Sequence, residues 1–142
     1  LRLDQAAEAG KFRATAATSL DGTAGTWGDL DMMCVTLDAA GTFVASTAGN
    51  CDGVIWTREG RMTGVATNNE VIGLRKYTVF CRAEFVEAEI GTSPALSAGD
   101  DLFATAAGDV TTSPATGDIY VGTVMVGGSR LVINVMGRPV SV

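Results

Sequence analysis

At 142 residues, 46% of them apolar, the chain has the length of one domain and enough apolar side chains to bury a core without metal or disulfide staples. Its 10 basic residues stand against 16 acidic ones, a net charge of −6, which sets it against phosphate backbones and excludes general nucleic-acid binding. It contains no histidine, which excludes Ser-His-Asp and Cys-His catalysis and zinc sites of the Cys/His type.

The 18 glycines and only 3 prolines, with no Gly-X-Y period, predict short strands joined by tight turns. No apolar run is long enough to span a membrane, and LRLDQAAEAGKFR lacks the apolar centre of a signal peptide. Residues 1–18 are expected to form an N-terminal arm. Within it LDQAAEA has the composition for a helical turn or two, marginal on its own, and KFRATAAT suits an extended segment. Arg2, Lys11 and Arg13, with Phe12 between the last two, make this arm a basic segment on an acidic chain.

Residues 19–142 are expected to form a single β domain. Ser19–Gly28 is a Gly/Thr/Asp loop holding Trp27, a candidate interface anchor. In Asp29–Leu37, Met33, Val35 and Leu37 alternate with Met32, Cys34 and Thr36, a strand period. Asp38–Gly41 turns the chain into Thr42–Ser46. A polar loop, Thr47–Asp52, then leads to a third strand, Gly53–Thr57, whose Trp56 reads as core. Arg58–Arg61 is a charged turn, and Thr67–Glu70 is another turn or a helix cap. Tyr77–Ile90 is the longest strand pattern. Its apolar phase slips by one at Phe85-Val86, so a bulge or a crossing between layers is expected there, with a helix over AEFVEAEI as the competing reading. From Ser97 to Met136 come four further strands: Leu102–Ala104, Val110–Thr112, Ile119–Val126 and Arg130–Met136. Each is ended by glycine-containing turns. Arg138–Val142 is a tail suited to pairing along a sheet edge, its own or a neighbour's.

Two stretches, about 28–57 and 99–126, repeat one pattern of strand, Ala-Ala-Gly turn, strand, Gly-containing polar loop and Gly-bearing strand. They align Ala39-Ala40-Gly41 with Ala106-Ala107-Gly108, Ala48-Gly49 with Thr116-Gly117, and Gly53-Val54-Ile55 with Gly122-Thr123-Val124. Cys34, Cys51 and Cys81 form no CxxC and read as buried thiols of a reducing compartment. The acid pairs Asp29/Asp31 and Asp100/Asp101 follow glycines and read as turn formers rather than as a glycosidase pair or calcium ligands. No catalytic residue, metal site or cofactor is expected. The basic cluster Arg58, Arg61, Arg75 and Lys76 reads as a solvated face or as a contact for an acidic patch on a neighbouring subunit.

Gly99-Asp100, Ala107-Gly108, Val121-Gly122-Thr123-Val124 and Leu131-Val132-Ile133-Asn134-Val135 together resemble the C-terminal half of tailed-bacteriophage capsid decoration (cement) proteins. The likeness covers about 40 residues well. It reaches the 28–56 copy more loosely, and segment 58–90 departs from the pattern. The resemblance implies a non-enzymatic structural protein on the exterior of a virion, made in the host cytoplasm. Its partner would be the major capsid protein, and it would be a homo-oligomer, most simply a trimer. Arg2, Lys11, Phe12, Arg13, Trp27, Arg58, Arg61, Arg75 and Lys76 are its candidate interface residues. The alternatives are another β-rich virion component, such as a minor capsid or tail subunit, or a carbohydrate- or ligand-binding β module. The expected fold is all-β: a compact sandwich or barrel-like domain of short antiparallel strands with an internal pseudo-repeat, plus an extended N-terminal arm.

Overall fold

The computed structural model describes residues 2–3, 6–16, 33–56, 76–89, 95–125, 130–137 and 140–141. They form eleven strands: β1 (Arg2–Leu3), β2 (Ala6–Ala16), β3 (Cys34–Leu37), β4 (Thr42–Ala45), β5 (Gly53–Trp56), β6 (Lys76–Phe85), β7 (Ala88–Glu89), β8 (Asp101–Ala104), β9 (Val110–Thr111), β10 (Ile119–Val124) and β11 (Leu131–Asn134). Nine of them make one mixed sheet, and β1 and β7 make a two-stranded ribbon. The fold is all-β, as the alternating patterns require.

Five ladders close on themselves. β2 pairs with β4 in parallel, β4 with β3, β3 with β5, β5 with β6, and β6 again with β2, the last four antiparallel. Each strand of this ring contributes one buried side chain to its interior: Ala14, Val35, Phe43, Ile55 and Val79, with Phe12 and Met33 packed against them. The ring is a small barrel filled by side chains, and closure leaves it no free edge.

β6 joins the barrel to the remaining strands. It has three partners and only two edges. β2 runs along residues 76–85 on one edge, so β5 (opposite 78–80) and β11 (opposite 82–85) divide the other. Beyond β11 the sheet continues through β10 and β8 to β9. This second wing folds over the outside of the barrel. The larger core lies between them and draws Cys34, Cys51 and Val54 from the barrel side, Phe80, Ala83 and Phe85 from β6, and Leu102, Ile119, Val121, Val124, Leu131 and Ile133 from the wing. Val54 and Phe80 face this outer core while their neighbours Ile55 and Val79 face the barrel interior. Strands buried on both faces have no polar side, which is why Gly53–Trp56 reads as a continuous apolar run. Phe80 and Phe85 meet edge to face, 5.1 Å between centroids. The phase slip at Phe85-Val86 falls where β6 ends in a bend before β7.

The N-terminal segment is extended, as expected, but it does not stand clear of the domain as an arm. β2 is a wall of the barrel, bulged between Ala6 and Glu8 and between Gly10 and Lys11. The helical turn that Ala6–Ala9 invited does not form. Helix preferences there amount to tenths of a kcal/mol per residue, about 0–0.7, and the ladder to β6 outweighs them. Residues Ala83–Glu89 are likewise strand, bend and strand, not helix.

The two sequence copies share a topology. In each, the first strand is central, the second pairs with it through the Ala-Ala-Gly turn, and the third pairs on its other edge: β4-β3-β5 and β9-β8-β10. Three hydrogen bonds recur in the two turns. Asp38 N–H donates to Thr42 O (2.8 Å), Gly41 N–H to Asp38 O (3.0 Å) and Ala40 N–H to Asp38 Oδ1 (2.9 Å). In the second copy Thr105 N–H donates to Asp109 O (2.9 Å), Gly108 N–H to Thr105 O (3.3 Å) and Ala107 N–H to Thr105 Oγ1 (3.4 Å). Gly41 (φ 77°) and Gly108 (φ 85°) end these turns in the left-handed region, where a side chain is strained. The equivalent loop glycines meet directly, Gly49 N–H donating to Gly117 O at 2.9 Å. The second-copy turn also packs on the first copy through Cys34 N–H to Gly108 O (2.8 Å) and Ser46 Oγ–H to Thr105 O (2.6 Å).

The Thr42 hydroxyl, and then the Thr42, Ala40 and Gly41 N–H groups, hold the exposed Asp38 carboxyl below its ordinary range. A depressed carboxylate stabilises the fold above the carboxylate range, and that contribution is lost as pH falls through the folded-state value. Asp38→Ala is therefore expected to lower the urea midpoint at pH 7, and its deficit against wild type to shrink below about pH 4. A deficit that stayed constant with pH would assign the effect to something other than the charge.

Candidate interaction surface

The outer face of the second wing presents a half-buried apolar surface. In β8, Leu102 and Ala104 point into the core, leaving Asp101 and Phe103 outside; in β11, Leu131 and Ile133 point in and Val132 out. A register shift between Tyr120 and Gly122 changes the phase of β10, so Tyr120 and Thr123, rather than residues two apart, share the outer face. Phe103 and Tyr120 pack edge to face, centroids 5.8 Å apart at 74°. Thr123 Oγ1 donates to Asp101 Oδ1 (2.7 Å) and is hydrogen-bonded to the Tyr120 hydroxyl, so the ring is fixed at its polar end. Met136 lies beside this group, its N–H donating to Tyr120 O (3.3 Å) and its side chain 56% exposed. The Glu84–Arg130 pair, 2.8 Å apart and well exposed, forms a charged rim worth at most about 1 kcal/mol. An apolar centre with a polar rim is the usual anatomy of a protein contact.

Of the residues singled out from sequence, Lys11, Phe12 and Arg13 lie together on β2. Lys11 is exposed and Phe12 turns inward onto the barrel core. Arg13 is exposed and donates from Nη1 to Thr78 Oγ1 on β6 (3.3 Å). Lys76 stands opposite Thr15 at the same end of that ladder, two positions from the Arg13–Thr78 pair. Arg2 lies opposite Glu89 on the separate ribbon. Trp27, Arg58, Arg61 and Arg75 lie outside the described residues, as does the Thr67–Glu70 turn. Phe12 is thus partly buried against the barrel core. Phe103, Tyr120, Val132 and Met136 were not singled out, although the alternation of β8 and β11 already places Phe103 and Val132 opposite the buried positions. The bulge in β10 hides the same signal for Tyr120.

In the tail, Val140 pairs within its own molecule: its N–H donates to Asp118 O (2.6 Å) and its carbonyl accepts from Gly117 N–H (2.9 Å). Among the described residues no group of three His, Cys, Asp or Glu side chains is placed to hold a metal ion, and no helix is long and apolar enough to cross a membrane. No family model matches the chain, and no curated protein matches it.

Proposed function

We propose that the chain is a structural virion protein that binds the outer surface of an icosahedral phage capsid and stabilises it across subunit joints. Its partner is the major capsid protein, and it acts as a homo-oligomer on the capsid exterior. The supporting observation is that the residues resembling decoration proteins, Ser97–Met136, are those that build the wing with the half-buried Phe103–Tyr120–Val132 face and the exposed Met136 beside it. A chain without histidine and with a net charge of −6 suits that role better than catalysis or nucleic-acid binding. A ligand that binds only the assembled shell stabilises it by linkage, about 2.7 kcal/mol at 100-fold excess over Kd.

Purified protein mixed with undecorated shells is expected to co-sediment with them and to raise their disruption temperature. Met136→Asp, at an exposed position, is expected to weaken binding at least tenfold without lowering the protein's own melting temperature, because a charge is then desolvated in the contact. Absence of both co-sedimentation and stabilisation overturns the proposal. The competing carbohydrate-module reading needs an exposed aromatic platform; among the described residues Phe103 and Tyr120 stand at 74° to each other and do not form a flat one, and a glycan array showing binding would favour that reading.

A further inference from the structure

We propose that Cys34 and Cys51 are a redox-responsive pair that closes to an intrachain disulfide, tying the first strand of the first repeat copy to the loop that leads into its third. Cys34 opens β3 and is 0% exposed; Cys51 lies two residues before β5 and is 3% exposed. Both side chains belong to the outer core, and the backbones beside them are joined by Asp52 N–H donating to Val35 O at 2.8 Å. The two thiols are in hydrogen-bonding contact. Cys81 is the third thiol and stands apart on the β2–β6 ladder, its Sγ–H donating to Gly10 O at 3.3 Å.

The surroundings of the pair assign different roles to its members. The hydrogen bond to Cys51, and then burial, push the Cys34 thiol well above its ordinary range. The hydrogen bond from Cys34 pulls Cys51 down, against burial, which pushes it up. Cys51 directly follows the exposed turn Thr47–Asn50, whose opening would admit a small reagent, so it serves as the nucleophile and the deeper Cys34 as the resolving thiol.

The oxidant is a low-molecular-weight disulfide. The Cys51 thiolate attacks one of its sulfurs, forming a mixed disulfide and releasing one thiolate, which takes up the proton Cys51 gave. Cys34 then gives up its proton and attacks the Cys51 sulfur, expelling the second thiolate, which is protonated in turn. Two protein thiols are oxidised by two electrons, and one small disulfide is reduced to two thiols. If the virion reading holds, the bond forms once the protein leaves the reducing cytoplasm, but the test does not depend on shells.

The full chain is incubated with oxidised glutathione, with and without a low urea concentration, and compared with dithiothreitol-treated protein by intact mass, peptide mapping and thermal melting. The expected result is loss of two hydrogens per chain, a Cys34–Cys51 crosslinked peptide, and a melting temperature higher by roughly 5–15 °C, as for closure of a loop of about 17 residues. Cys81→Ser is expected to behave like wild type, and Cys34→Ser to stop at a glutathione adduct on Cys51. A crosslink through Cys81, a stable glutathione adduct on wild-type Cys51, no mass change even in urea, or a lower melting temperature after oxidation would each overturn the proposal. The wild-type map and Cys81→Ser decide the matter even if Cys34→Ser does not fold.

Discussion

A chain that begins at residue 18 is expected to lose its cooperative unfolding transition altogether. Among the described strands β2 alone pairs with both β4 and β6, so without it the barrel opens along both edges. Phe43, Ile55 and Val79, all fully buried, would then face water from the interior side. At about 1.5–3 kcal/mol per side chain, uncovering three of them forfeits roughly 5–9 kcal/mol, against a total stability of about 5–15 kcal/mol for a typical domain. The ladder opposite residues 76–85 is lost as well, leaving β6 with an unpaired edge. Far-UV and near-UV circular dichroism through a thermal ramp test this. A truncated chain that still melts sharply, with native near-UV signal, would show that the segment is dispensable and return it to the role of an arm.

Gly122→Ala is the point substitution expected to cost most. A methyl group on Gly122 would lie 2.3 Å from the Val132 carbonyl oxygen, inside the β10–β11 ladder, where the obstacle is backbone and cannot rotate away. Relief requires moving β11, whose Leu131 and Ile133 are fully buried, so a loss of about 3 kcal/mol or more is expected. At the equivalent position in the first copy, Gly53, an added methyl would lie 2.5 Å from Val79 Cγ1 and 2.9 Å from Phe80 O, and Ala there is expected to follow closely behind. Gly41→Ala makes the useful contrast. Its methyl would point into open space and its cost is the left-handed backbone alone, about 1–2 kcal/mol. Urea midpoints of the three variants rank the effects, and a Gly122→Ala midpoint above that of Gly41→Ala would contradict the close approach of β10 and β11.

The strands were legible in the sequence wherever burial is one-sided. Leu102/Ala104 and Leu131/Ile133 alternate because one face is core and the other solvent. The repeat was legible because turn geometry restricts residue choice at Gly41, Gly49, Gly108 and Gly117, and tight strand approach at Gly53 and Gly122. The place of residues 6–16 was not. Nothing within AAEAGKFRATA specifies a partner at such a distance: Arg13 meets Thr78 across 65 positions and Cys81 meets Gly10 across 71. Their small and charged side chains look like those of a linker because much of the strand's contribution is main-chain pairing. The candidate surface was half legible. Alternation points Phe103 and Val132 outward, but the register shift beside Tyr120 exists only once β8 and β10 are paired.

The sharing of β6 between barrel and wing also sets a schedule. The ribosome finishes β2 well before the strand that holds it, β6, which is some 70 residues further on. At roughly 5–20 residues per second, the first wall of the barrel waits about 4–14 seconds for its partner. During that interval its main-chain donors and acceptors are open to any neighbouring strand. Lys11 and Arg13, exposed on the finished barrel, are the kind of charged side chains that keep such a waiting edge from pairing with another nascent chain.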